Sequence, residues 1–173
     1  MKAKLTIEGK EFDIEIYDPA MIEVLTSQAE LGNTGYERVK DGEYYYIDDG
    51  MGGVEQVMEN HDSADKNLYD GGYYFSDLEL ANNNVRADAL MRKLRRFAAE
   101  ENKRCVDWSS DGYRRVIYYE HITKTLSYHN HTTMQTFGAI AFDSDEGVEK
   151  AIEIFRDELI WYFTEYKDSL RGK

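Results

Sequence analysis

Gly72-Tyr73-Tyr74-Phe75-Ser76-Asp77-Leu78-Glu79 and Gly138-Ala139-Ile140-Ala141-Phe142-Asp143-Ser144-Asp145-Glu146 are two versions of one pattern. In each, a short apolar or aromatic run passes through Phe to a Ser with acids beside it, ahead of a long helix-forming stretch. This is how a strand gives way to a capped helix. A first helical turn leaves four amides without partners, and the Ser76 and Ser144 hydroxyls can each take one. The neighbouring carboxylates face the positive end of the helix.

Upstream of the first pattern, residues 43–48 (Glu-Tyr-Tyr-Tyr-Ile-Asp) read as a strand, 49–53 as a Gly-rich loop and Val54–Met58 as the returning strand. The polar stretch 59–70 reads as a solvated loop, and 72–75 as a third strand. Downstream, residues 76–102 place Ala87, Leu90, Met91, Leu94, Phe97 and Ala98 on one helical stripe with charges opposite. Asn82-Asn83-Asn84 are poor helix formers, so a break with a restart at Val85 is expected there.

The second pattern has the same surroundings. Residues 113–121 form a strand, 122–124 a turn, Thr125–His131 the return and 137–142 a third strand. The closing helix, 144–166, carries Val148, Ile152, Phe155, Leu159 and Tyr162 or Phe163 at core spacing. Ahead of both units, 2–8 and 11–17 alternate around Gly9-Lys10 as a hairpin. Residues 20–31, after Pro19, place Met21, Ile22, Leu25 and Ala29 at helical spacing before the stop at Gly32. The expectation is one compact α+β domain over 1–173, with antiparallel sheets and helices packed on one face. Within it, an N-terminal hairpin and helix (1–32) precede two β-β-β-α units at 43–102 and 113–166.

Composition supports a folded chain: 42% hydrophobic residues, one proline and no low-complexity run in 173 residues. No apolar stretch reaches the ~18 residues of a membrane span, and no signal-peptide pattern opens the sequence. The single Cys105 excludes an internal disulfide, so a reducing cytoplasm is the expected setting. The net charge of −13 is unevenly spread. Residues 1–85 hold 6 basic and 19 acidic side chains, whereas residues 86–115 hold 9 basic and 5 acidic. So acidic a protein is repelled by bulk nucleic acid but attracted to basic grooves, and the same charge also serves solubility.

The basic cluster comprises Arg92, Lys93, Arg95 and Arg96, flanked by Arg86, Lys103 and Arg104. At 100° per residue, Arg92, Arg95, Arg96 and Lys103 share a face away from Leu90 and Leu94, and Arg114 and Arg115 open the next strand. Arginine makes bidentate contacts with phosphate, so these six are the candidate nucleic-acid-binding residues. A solvated helix face near a C-terminus, where the dipole favours cations, accounts for the same cluster. His129 and His131 share a strand face, but Glu120 faces away from His121, so the spacing supplies no carboxylate for a metal site. The 48–53 loop lacks an EF-hand's later ligands and the glycine spacing of a phosphate loop. No cofactor is expected. Of fourteen tyrosines, Tyr44, Tyr45, Tyr46, Tyr73, Tyr74, Tyr118, Tyr119 and Tyr128 fall in the expected strands, where alternation puts at least one of each consecutive set outside.

The run Glu43-Tyr-Tyr-Tyr-Ile-Asp48, then Gly72-Tyr-Tyr-Phe-Ser76 and a basic-apolar helix, resembles a group of small proteins from phages and integrative elements of Gram-positive bacteria. The pattern continues through Asp107-Trp108, Val116-Ile-Tyr-Tyr119, Gly138-Ala-Ile-Ala-Phe142 and Phe155-Arg-Asp-Glu-Leu159, covering about residues 40–166. In size, acidity and N-terminal hairpin the chain is similar to anti-CRISPR proteins acting on type II systems. The resemblance implies a cytoplasmic protein whose partners are a type II effector nuclease and its guide RNA, and in certain members it implies guide cleavage. It carries no catalytic positions. Two other readings stay open: an acidic DNA mimic without nuclease activity, and a mobile-element accessory interaction protein.

Overall fold

The computed structural model describes residues 2–7, 10–15, 18, 34–103, 112–131, 135 and 137–166. The fold is α+β, and every strand pairing in it is antiparallel. β1 (Lys2–Ile7) and β2 (Lys10–Glu15) form the N-terminal hairpin, with Ala3 opposite Ile14 and Leu5 opposite Phe12. The expected helix at 20–31 lies outside the described residues.

β3 (Tyr44–Asp48) and β4 (Val54–Met58) pair in register from Tyr44↔Met58 to Asp48↔Val54. Their loop turns on Gly50 and Gly52, whose φ values of 74° and 97° suit glycine. The Asp49 carboxylate accepts the Met51 and Gly53 amides across that loop. The stretch expected as solvated loop contains α1 (Ser63–Asp70). Asp62 caps it by accepting from the Ala64 and Asp65 amides, and Asp65 reaches back to the Asp62 amide, a capping box built with Asp instead of Glu. The third strand expected at 72–75 shrinks to a single bridge, Tyr46↔Phe75.

α2 (Leu78–Glu101) runs unbroken through Asn82-Asn83-Asn84. Burial of Leu80, Ala81 and Val85 on either side carries the helix through, and Asn82 and Asn84 donate their side-chain amides to the carbonyls of Leu78 and Leu80 one turn back. The cap is Asp77, whose carboxylate accepts the Leu80 amide, and not the expected Ser76. The Ser76 hydroxyl points instead to Glu37.

In the second unit β5 (Arg114–Glu120) pairs with β6 (Thr125–His131) on one side and with β7 (Ala141–Phe142) on the other. The expected third strand, 137–142, is therefore reduced to its last two residues. Past β7 the Asn102 side chain stands in for a further strand: it donates to the Ala141 carbonyl and accepts the Asp143 amide. Ser144 caps the next helix as expected, accepting from the Gly147 amide. The closing helix is not continuous. It divides into α3 (Asp145–Ile154) and α4 (Arg156–Trp161) around Phe155, then widens into a π-helical turn, Tyr162–Tyr166. The two units are thus variations on a hairpin followed by a helix, and a strict β-β-β-α repeat is absent from the described residues.

α2 serves both units with different halves. Leu80 and Ala81 pack with Phe75, Tyr46 and Val54 of the first unit. Leu90, Leu94 and Ala98 pack with Phe142, Val148, Ala151 and Leu159 of the second. No helix among the described residues is long and apolar enough to cross a membrane.

Candidate nucleic-acid interface

The C-terminal half of α2 buries Leu90, Leu94 and Ala98 against the second unit, which turns Arg92, Arg95 and Arg96 outward on the opposite side. Lys93 flanks them and is also exposed. The Arg92 guanidinium lies 3.7 Å from the Asp48 carboxylate at the end of β3. Among the described residues, no carboxylate lies within ion-pair distance of Lys93, Arg95 or Arg96. Asp88, exposed one turn before Arg92, and Glu100, exposed one turn after Arg96, are the acids beside this face.

The flanking cations are placed differently. Arg86 is drawn out of the cluster: its Nε donates to Glu158 at 2.9 Å, and its guanidinium lies 3.8 Å above the Trp161 ring. Lys103 is exposed but follows the end of α2, so helical spacing no longer sets its direction, and its amide is held by Asp143. Arg104 lies outside the described residues.

Arg114 and Arg115 do not extend the exposed patch, as their position at the start of a strand suggested. Arg114 is buried, with 3% of its surface exposed, and donates to the Gly112 carbonyl. Arg115 clamps the start of α3, donating to Asp145 at 2.9 and 3.4 Å and to the Asp143 carbonyl at 2.7 Å. That pairing holds the Asp145 carboxyl below its ordinary range and raises Arg115. Both arginines carry structure, and the cations left exposed on the C-terminal half of α2 are Arg92, Lys93, Arg95 and Arg96.

The described residues contain no group of three His, Cys, Asp or Glu able to hold a metal. His129 and His121 lie instead against Tyr118 and Tyr119, each with ring centroids 5.0 Å apart. Consecutive tyrosines alternate as expected: Tyr44 and Tyr73 are exposed, while Tyr45 and Tyr74 are buried.

The polar centre that sequence reading missed lies under α1. Glu59 is fully buried and accepts from Arg38 Nε at 3.1 Å, Arg38 Nη2 at 2.8 Å, the Tyr74 hydroxyl at 2.8 Å and the His61 amide at 2.8 Å. Arg38, outweighing burial, holds the Glu59 carboxyl down at about 2. Tyr74 stacks on Tyr45 with centroids 3.9 Å apart, and Tyr45 donates to the buried Asp65. Burial pushes both phenols up, Tyr74 to about 12. With every Glu59 oxygen engaged and no surface exposed, this centre fastens β3, β4, α1 and residues 38–39 together. It does not present a reactive group to solvent. Its sequence signal was the close spacing of Glu59, Asp62 and Asp65 in what otherwise reads as loop.

No family model, curated protein or solved structure matches the chain.

Proposed function

We propose that the protein inhibits a type II RNA-guided effector nuclease by binding it and laying the Arg92, Arg95 and Arg96 face of α2 on the phosphate backbone of the guide RNA. The observation that carries this reading is a contrast among cations. Arg38, Arg86, Arg115 and Lys150 are each held by a carboxylate. Lys93, Arg95 and Arg96 stand exposed, with no such partner among the described residues, in a chain of net charge −13. Exposed guanidinium groups in a row on a rigid helix are suited to phosphate. The resemblance to anti-CRISPR proteins supplies the class of partner. The acidic residues of 1–85 suit the basic channel in which an effector holds nucleic acid.

The test is co-purification with a type II effector loaded with guide RNA, followed by a denaturing gel of the bound RNA. Wild type is expected to co-purify and to block target cleavage. The folded Arg92→Glu/Arg95→Glu/Arg96→Glu variant is expected to lose both properties. A folded triple variant that inhibits as well as wild type overturns the reading. The acidity of residues 1–85 favours a second reading, a DNA mimic: intact guide, blocked DNA binding and indifference to the triple change would establish it. Shortened guide RNA would add cleavage to the inhibitory activity.

A further inference from the structure

A cavity of about 310 Å³ opens between α2 and the second unit. Leu90, Met91 and Leu94 form its helix wall, and Ile117 and Ile140 the wall opposite. Tyr162 and Phe163, from the π-helical turn that closes the chain's described part, form its end. Core packing is close on the same walls: Leu90 and Leu94 are only 2% and 4% exposed. At the rim the situation reverses, because Phe137 leaves its whole ring in water and Gly138 beside it is exposed. A large ring fully hydrated beside an apolar hollow is surface that an occupant would cover.

We infer that this cavity is a binding site for a small, uncharged, flat aromatic molecule of about two fused rings. Size comes first. An apolar cavity of ~150 Å³ lined by aliphatic and aromatic side chains accepts benzene. About twice that volume suits a bicyclic ring system, and it falls at the lower end of ordinary small-ligand pockets. Charge comes next. The described lining holds no Asp, Glu, Lys or Arg, so an ionised ligand would lose its hydration with no counter-charge to replace it. Shape follows from the rings: Phe137, Tyr162 and Phe163 offer faces and edges to a planar guest. The polar side chains of the described lining are His129 and Tyr162, and the Tyr162 hydroxyl can orient one hydroxyl or ring N–H. The π-helical turn fits the assignment, because such widened turns concentrate at functional sites. The site is separate from the cationic face of α2 and stands whether or not that face binds RNA.

The experiment uses the full chain with methyl-labelled side chains and 2-naphthol as probe, with indole as a second. Expected are saturating shifts, on one common curve, of the Met91, Leu90, Ile117 and Leu159 methyls, with the Val54 and Val57 methyls of the β3–β4 hairpin unmoved. Met91→Trp and Ile140→Trp each narrow the cavity from a different wall, and each is expected to weaken binding by about tenfold. Absence of shifts with both probes overturns the assignment. So do shifts that rise without saturating, shifts spread over both units, or full binding retained in either folded filled variant. Should neither variant fold, the map of shifted methyls on the wild-type chain decides.

Discussion

Arg38 and Glu59, twenty-one residues apart, meet in a two-point contact: Nε on Oε2 at 3.1 Å and Nη2 on Oε1 at 2.8 Å, with the carboxylate fully buried. Removing one partner of such a pair leaves a charge in a medium that solvates it poorly. Arg38→Met is expected to lower stability clearly, read from denaturant unfolding. Glu59→Gln, which keeps an acceptor for Tyr74, is expected to cost less. Equal losses from the two variants would contradict this assignment of roles.

The same contact sets an acid limit on stability. Arg38 holds Glu59 at about 2. At Glu37 burial acts upward but is outweighed by the Thr34 and Gly35 groups that donate to it, leaving it also at about 2. Both lie below the ordinary 4.5, so the unfolded chain takes up protons first as pH falls. Their stabilisation is complete above about pH 5 and drains away between 4.5 and 2. At the alkaline end the sign is opposite. Tyr74 is raised from 10 to about 12, so its contribution is complete below 10 and declines as pH rises toward 12. Unfolding free energy measured across pH is expected to show both flanks, and Arg38→Met should reduce the acid one to the share that Glu37 supplies.

Cap placement gives a third expectation. Asp77→Ala and Ser144→Ala each remove an acceptor for a first-turn amide and should cost about 1 kcal/mol apiece. Ser76→Ala should cost clearly less, because its hydroxyl makes only a 3.4 Å contact with Glu37 and caps nothing. Thermal unfolding of the three variants side by side checks the order.

Asn102→Ala strips the two bonds that finish the edge of β7, leaving the Ala141 carbonyl and the Asp143 amide without partners. A destabilisation of about 1–3 kcal/mol is expected. Faster hydrogen exchange at the Asp143 amide, with the β3–β4 amides unchanged, would locate it.

On α2, the salt dependence of RNA binding should report phosphate pairing directly. Replacing Arg92, Arg95 and Arg96 by Gln is expected to reduce the slope of log K against log salt by about 2, near 0.7 for each single-strand phosphate no longer neutralised. An unchanged slope would remove the face from the interface.

Much of this architecture could be read from alternation. Thr125–His131 coincides with the expected strand, because Leu126 and Tyr128 alternate with polar neighbours after a clear turn. Val54–Met58 coincides as well, placed by the Gly-rich loop before it although Val-Glu-Gln-Val-Met does not itself alternate. Where polar side chains did the folding, the reading failed. α1 has the sequence Ser-Ala-Asp-Lys-Asn-Leu-Tyr-Asp, without an apolar stripe, and Asp65 is its buried residue, held by Tyr45. Asn82 and Asn84, counted as breakers, bond back along their own helix. In the cationic site, spacing along α2 correctly turned Arg92, Arg95 and Arg96 away from Leu90 and Leu94. It could not separate them from Arg114 and Arg115, because burial and ion pairing depend on Asp145 and Gly112 and on neighbours that chain order does not encode.

Because α2 gives Leu80 and Ala81 to one core and Leu90, Leu94 and Ala98 to the other, the chain cannot be cut at its apparent internal repeat into two self-sufficient pieces. A fragment ending before Leu78 lacks the lid over Phe75, and one beginning at Gly112 lacks the wall facing Phe142 and Leu159. Split-reporter designs would therefore succeed only if the whole of α2 stays with one half, and that half would carry an apolar seam able to recapture the other.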